Sequence, residues 1–223
     1  MCSILGILDL RSDPVALRAQ ALDLSRRMRH RGPDWSGVYA NNRAILVHER
    51  LAIVGVDSGA QPLLSPDGTQ ALAVNGEIYN HRELRAATEA NYAYQTHSDC
   101  EVILPLYRQF GADFLNQLEG MFAFVLWDDA AGRWLIGRDP IGIIPLYYGH
   151  DEHGNLYVGS ELKSLAPVCK DAKEFPPGTI GNRAMPHPRS TTIPLGVITP
   201  PSRMVRPTAS PCARPLSMQS RPT

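Results

Sequence analysis

The chain opens with a nearly continuous apolar run over residues 2–10, rich in Ile and Leu and short enough for a buried strand. The chain is therefore expected to begin inside a sheet. Asp13-Pro14 reads as an N-cap with proline in the first turn, and Val15, Leu17, Leu22, Leu24 and Met28 form one apolar stripe that predicts a helix to about His30. Arg31-Gly32-Pro33-Asp34 closes it in a turn. Short strand-like stretches follow at 44–47, 51–54 and 71–74, separated by Gly, Pro and Asp. Asn80 is expected to cap a second helix through Ala90. Ser98-Asp99 precedes Val102, Ile103, Leu106, Tyr107 and Phe110, an amphipathic third helix closed by Gly111. Three more strands fit 121–128, 134–138 and 156–160. Strands joined mostly by tight turns, with helices early and in the middle, point to α+β with antiparallel sheets.

Composition narrows the class. With 223 residues, 43% hydrophobic and 20% charged, the chain suits one globular domain or two small ones. Its apolar runs are too short for a bilayer and no charged leader with a cleavage site opens it, so a soluble, cytoplasmic protein is expected. Lys plus Arg and Asp plus Glu are 22 each, which gives no general pull toward nucleic acid or membrane. The balance is uneven along the chain. All 22 acidic residues lie at or before Glu174, whereas six arginines follow Gly178, so residues 1–178 carry net −6 and residues 179–223 carry +6. Those last residues hold nine of the 19 prolines, no aromatic residue and no periodicity, and are expected to form a Pro/Arg-rich disordered tail beyond a boundary near Gly178. Cys2, Cys100, Cys169 and Cys212 are widely spaced, without a metal-ligand or disulfide pattern. Cys100 and Cys169 read as small buried apolar side chains.

Cys2 stands apart because of its place. The initiator methionine is normally removed before a small residue, which would leave Cys2 first, its thiol beside a free α-amine. Such an amine has a reference pKa of about 7.7 to 8.0 and can accept the thiol proton. One residue then supplies nucleophile and base; read on position alone, Cys2 is the second residue of a buried strand. A thiolate attacking a carbonyl also needs donors aimed at the developing oxyanion. Asn75-Gly76, an amide side chain followed by a residue whose backbone N–H can approach a ligand closely, can form such a hole; the same dipeptide is also the strongest short hairpin signal. Arg50 and Asp99, charges at the edges of apolar segments, read either as surface charge or as a clamp for a zwitterion.

Taken together, these residues sit among ordered motifs: Met1-Cys2-Ser3-Ile4, M-R-H-R-G-P-D at 28–34, H-E-R-L-A-I-V at 48–54, V-N-G-E-I-Y-N at 74–80, S-D-C-E-V-I-L at 98–104, G-M-F-A-F at 120–124 and G-R-D-P-I-G-I-I-P-L-Y at 137–147. With them the chain resembles the class II glutamine amidotransferases, N-terminal-nucleophile hydrolases, and most closely the glutaminase domain of the asparagine synthetase B family. The resemblance covers essentially residues 2–178. It implies a four-layer αββα sandwich of two antiparallel sheets. It implies Cys2 as nucleophile with its own amine as base, and Asn75 and Gly76 as oxyanion hole. Arg50 would grip the glutamine α-carboxylate through a two-pronged guanidinium. Asp99, with Glu77 nearby, would hold the α-ammonium, and Leu51, Ala52, Ile53 and Val54 would line the substrate through backbone contacts. The implied reaction is hydrolysis of L-glutamine to glutamate and ammonia through a γ-glutamyl thioester, with no metal or cofactor, the ammonia passing to an aspartate-amidating synthetase domain or subunit. ATP and magnesium would belong to that synthetase part.

Some positions depart from the family pattern. Ala52 replaces a serine and Gly55 stands where an acid is frequent, both outside the reacting groups. The similarity stops after Gly178, no S-G-G-x-D-S loop follows, and a tail translated out of frame is one explanation. Two other readings remain open on the residues: a glutaminase domain serving another synthetase, and a catalytically silent glutamine-binding module.

Overall fold

A computed structural model describes residues 1–52, 59–183 and 189–190. Strands β1 (Ser3–Leu8), β2 (Trp35–Ala40) and β3 (Ala44–Arg50) come first, with helix α1 (Pro14–Arg26) between β1 and β2. Strands β4 (Leu63–Leu64) and β5 (Gln70–Ile78) precede α2 (His81–Thr88) and α3 (Ile103–Phe110). The chain continues through β6 (Gly120–Asp128), β7 (Arg133–Arg138), β8 (Tyr147–His150), β9 (Leu156–Gly159), α4 (Leu162–Leu165), β10 (Lys173–Glu174), β11 (Thr179–Asn182) and β12 (Arg189–Ser190). One sheet has the order β10-β8-β9-β1-β3-β2 and the other β12-β11-β7-β6-β5-β4. All pairings are antiparallel.

Three apolar layers hold four layers of structure together. Leu17, Ala21 and Leu24 of α1 pack on Leu5, Ile7, Ile45 and Val47 on the outer face of the first sheet. Ile4, Leu8 and Leu46 on its inner face meet Ala71, Ala73, Val125 and Trp127 of the second sheet. Leu72, Val74, Phe122 and Phe124 face outward beneath Ile103, Leu104 and Leu106. The fold is thus α+β, an αββα sandwich of two antiparallel sheets. Because β1 is central and covered on both sides, its six residues are all buried, and its sequence reads as an unbroken apolar run. Alternation along β1 and β5 puts successive residues on opposite faces. Cys2 thereby falls on the inner face with Ile4, and Asn75 on the inner face with Ala71 and Ala73.

Asp13 caps α1 as expected, its carboxylate accepting from the Val15 and Ala16 N–H groups. The helix ends at Arg26 rather than near His30. The apolar stripe still reaches the buried Met28 because tight turns follow, with Met28 N–H donating to the Ser25 carbonyl at 2.8 Å and Arg31 N–H to the Met28 carbonyl at 2.9 Å. Asn80 precedes α2 but does not cap it. Its amide instead donates to the Gln117 carbonyl and accepts from the Glu119 N–H, tying the end of β5 to the start of β6. Gly111 closes α3 at φ 58°, as its position suggested.

Two segments differ from the sequence pattern in ways that bear on the site. Asn75-Gly76 neither breaks the strand nor forms a hairpin: β5 runs through both to Ile78, paired to β6 throughout. Of the stretch expected as a strand at 51–54, Leu51 and Ala52 are irregular, while Ile53 and Val54 lie outside the described residues. The sheet also continues past Gly178. Ile180, Gly181 and Asn182 pair with Gly137, Ile136 and Leu135, and Ile180 is buried in the core. The folded part therefore extends beyond the boundary expected near Gly178 from charge, proline content and the end of the family resemblance. The remainder of the expected tail, apart from Arg183 and β12, lies outside the described residues.

The G-R-D-P-I-G-I-I-P-L-Y segment is an internal brace. Arg138 donates to the carbonyls of Gly142, Ile144 and Phe175, and the buried Asp139 accepts from the N–H groups of Ile141, Ile143 and Ile144. Its own carbonyl receives the Gly178 N–H at 2.9 Å, which leads the chain into β11.

Candidate active site

The register of β1 against β3 ends with Ser3 opposite Glu49, so Cys2 and Arg50 follow side by side at the same end of the sheet. The Cys2 sulfur lies 3.4 Å from the Leu51 nitrogen, which donates to it, and 3.7 Å from the Leu51 carbonyl oxygen. Across the sandwich, β5 brings Asn75 and Gly76 to the same cavity, about 440 Å³ in volume, whose walls include Cys2, Arg50, Leu51, Glu77 and Asp99. Such a volume is in the usual range for a small-molecule site. Glu77, on its wall, is exposed to solvent.

Three residues of M-R-H-R-G-P-D, Arg31, Gly32 and Asp34, hold the Cys2 end of the sheet. Arg31 Nε donates to the Cys2 carbonyl at 3.1 Å, and its other arm pairs with Glu161 at 3.1 Å. Gly32 presses on β3 so closely that a Cβ there would lie 2.2 Å from the Glu49 carbonyl oxygen. Asp34 accepts the Ala52 N–H at 2.8 Å, fixing the chain just after Leu51. Beneath them, the buried Glu49 accepts from the hydroxyls of Ser25 and Ser36, so that α1, β2 and β3 meet on one carboxylate.

On the opposite wall, the Asn75 side-chain nitrogen is buried and has no hydrogen-bond partner. An amide N–H left dry in this way costs about 1 to 3 kcal/mol unless something fills the place in front of it. Gly76 is required sterically, since a Cβ on it would sit 2.1 Å from the Met121 carbonyl oxygen. Asp99 follows Ser98, which caps a 3-10 turn, and its Oδ2 accepts the Ile78 N–H at 2.7 Å. That bond holds the carboxylate at the end of β5. Glu101 lies behind it, buried, accepting from the N–H groups of Gln95 and Thr96 and from the Thr96 hydroxyl. S-D-C-E thus presents one acid to the cavity and uses the other to lock the preceding loop.

Of the residues expected in the site, the structure brings together Cys2, Arg50, Leu51, Asn75, Gly76, Glu77 and Asp99. Ala52 does not line the cavity; its described contact is with Asp34. His48, Gln61 and Cys100 also line it; the first two were not singled out, and Cys100 was read only as a small buried apolar side chain. Cys100 is wholly buried, its thiol pushed well above the usual range by burial and by Asp99 beside it, so it stays protonated. His48 is buried as well, and burial, with Arg50 adding to it, lowers its pKa to about 4. The H-x-R spacing on a strand was the available signal for His48, since alternation sends both side chains to one face.

Among the described residues no group of three or more His, Cys, Asp or Glu side chains is arranged to hold a metal ion, and no helix is long and apolar enough to cross a membrane.

The sequence profile of the glutamine amidotransferase domain matches residues 1–186. The chain is 62% identical over 179 residues to asparagine synthetase B [glutamine-hydrolyzing] of Escherichia coli strain K12, covering 80% of this chain and 32% of that protein. It is 53% identical over 180 residues to a probable glutamine-hydrolyzing asparagine synthetase of Schizosaccharomyces pombe, again covering 80% of this chain and 32% of the relative. The chain thus spans about a third of the length of these curated relatives. Among solved structures, a glutamine phosphoribosylpyrophosphate amidotransferase from B. subtilis superposes with a TM-score of 0.66 at 22% identity, over 80% of this chain and 46% of that one, and shares the fold. With the profile matching most of its length, the chain belongs to the glutamine amidotransferase domain family.

Proposed function

We propose that this chain hydrolyses the side-chain amide of L-glutamine to glutamate and ammonia, with Cys2 as nucleophile. The observation that carries the reading is the dry Asn75 side-chain N–H on the cavity wall opposite Cys2, a donor waiting for an oxygen. Met1 stands at the cavity wall; its removal puts the chain's α-amine on Cys2. That amine takes the thiol proton, and the sulfur attacks the amide carbon. The carbonyl oxygen becomes an oxyanion facing the Asn75 amide and the Gly76 N–H. Collapse breaks the carbon–nitrogen bond, the protonated amine gives its proton to the leaving nitrogen, and ammonia departs. Water, deprotonated by the same amine, then splits the γ-glutamyl thioester and frees the thiol.

Arg50 receives the α-carboxylate, and Asp99 with Glu77 the α-ammonium. Leu51 and, beyond the described residues, Ile53 and Val54 complete the binding segment, and Ala52 serves it by anchoring on Asp34. No cofactor enters this hydrolysis, because nucleophile, base and oxyanion donors are all protein groups. The identity to glutamine-hydrolyzing asparagine synthetases supports a synthetase domain or subunit amidating aspartate as the ammonia acceptor, the part to which ATP and magnesium would belong. Intact-mass analysis of the purified chain, before and after exposure to a diazoketone analogue of glutamine, tests the reading together with an assay for glutamate release. Loss of Met1, one adduct on Cys2 and glutamate formation are expected. Turnover by a chain that keeps Met1 would overturn the amine-as-base step, and a folded chain that binds glutamine without releasing glutamate would overturn catalysis.

A further inference from the structure

We propose that His48 is a positioning residue for the oxyanion hole: from the sheet that carries Cys2 it ties the Val74 carbonyl of the opposite sheet, and so fixes the two residues that follow, Asn75 and Gly76. The inference rests on the glutaminase reading above. Its ground is the edge of β5. The two-residue β4 pairs Leu63 with Leu72 and Leu64 with Ala71, and that register, continued, would bring residue 61 opposite Val74. The backbone does not continue the ladder there. Side chains take its place: Gln61 Oε1 accepts the Val74 N–H at 2.7 Å, and His48 Nε2 lies 3.2 Å from the Val74 carbonyl oxygen.

His48 is thus a cross-sheet tie with a defined proton. A carbonyl oxygen can only accept, so Nε2 carries the hydrogen and Nδ1 is a lone pair. Nδ1 is buried and has no hydrogen-bond partner, so a second proton there would have no acceptor. The ring lies wholly inside the protein, and Arg50 and Cys2 line the same cavity. Burial and the nearby guanidinium keep the ring neutral at ordinary pH. Since the donors of an oxyanion hole act on the transition state, loosening the tie should lower kcat and leave glutamine binding by Arg50 and Asp99 almost intact.

The purified chain is compared with His48→Leu, which removes the donor, and His48→Gln, whose amide nitrogen can reach the same carbonyl. His48→Leu should lose about 10- to 100-fold in kcat with KM changed less than about threefold, the size expected of a displaced rather than deleted donor. His48→Gln should recover most of that loss, and the acid limb of the wild-type pH profile should be unchanged in both. A His48→Leu chain within twofold of wild-type kcat, a loss expressed in KM alone, or a folded His48→Gln no better than His48→Leu would overturn the tie. Disappearance of the acid limb would overturn it too, by making His48 a proton carrier. If the variants do not fold, nitrogen NMR of wild-type His48 decides: the neutral Nε2–H tautomer should persist from pH 5 to 9, and titration in that range would refute it. Wild type that neither turns over glutamine nor labels at Cys2 would sink the glutaminase reading instead, and the NMR result would stand separately.

Discussion

Arg50, Asn75 and His48 surround one cavity but should fail in different ways. An arginine facing a carboxylate contributes in the ground state and the transition state alike, and removing one partner of a buried charged hydrogen bond typically costs about 2 to 5 kcal/mol. Arg50→Ala should therefore raise the glutamine KM far more than it lowers kcat. Asn75→Ala should do the reverse, lowering kcat by about 10² to 10³ with KM little changed. Steady-state kinetics on the two variants checks this, and matching KM effects would contradict the division. His48 has a second consequence, for stability. Its pKa in the folded chain is lowered to about 4 by burial first and Arg50 after it, so between the ordinary histidine value and pH 4 the unfolded chain binds a proton that the folded one refuses. Stability from this group is complete above about pH 6.5 and falls by about 3 kcal/mol as pH drops toward 4. Urea unfolding at pH 7.5 and pH 4.5 should show the fall in wild type and a smaller one in His48→Gln.

The turn between α1 and β2 acts as a clamp on the end of β3. A methyl group on Gly32 would meet the Glu49 carbonyl carbon at 2.3 Å and the Arg50 nitrogen at 2.6 Å, backbone atoms that cannot swing aside. Gly32→Ala should cost about 1 to 3 kcal/mol through overpacking and, because Arg50 moves with β3, should raise KM as well. Melting temperature and KM measured on the same preparation check both parts. Serine at position 34 is expected to keep the fold but release the Ala52 N–H, so Asp34→Ser should weaken glutamine binding with little change in melting. Only the R-G-P-D part of the motif M-R-H-R-G-P-D was legible as a turn, its first residues reading as the end of α1, and its resemblance placed it in the family. That its arginine holds the Cys2 carbonyl and its aspartate the segment after Leu51 was not, since both contacts join residues far apart in the chain.

Taken as a molecule, the sandwich buries its middle apolar layer between the two sheets, and both walls of the cavity depend on that packing. The final described strands belong to the second sheet. Ile180 on β11 is in the core, and burying such a side chain contributes about 1.5 to 3 kcal/mol. A chain ended after Gly178 should therefore unfold at lower urea concentration than one ended after Ser190, while equal midpoints would show β11 to be dispensable. The composition of the chain after Gly178, basic and rich in proline, hid this strand. Four residues, Thr179–Asn182, are too few to show a period, and β7 supplies the pairing that makes them a strand.

Local chemistry along the chain was enough for the apolar run that became β1, the Asp13 cap, the Gly111 stop and the α+β class, because each depends on neighbours a few residues away. Cys2, Arg50, Asn75, Gly76, Glu77 and Asp99, which line one cavity, were also singled out through their motifs. Residue types alone left Asn75-Gly76 as either a hairpin or a hole. Packing resolved it into a strand, because β6 pairs with all of 70–78 and leaves Gly76 against the Met121 carbonyl. The same holds for His48: nothing near it in the chain distinguishes a core histidine from a tie, and the partner that does, Val74, is supplied by the other sheet. Contacts between sheets join residues whose separation no periodicity encodes, so they could be learned only where the two sheets meet.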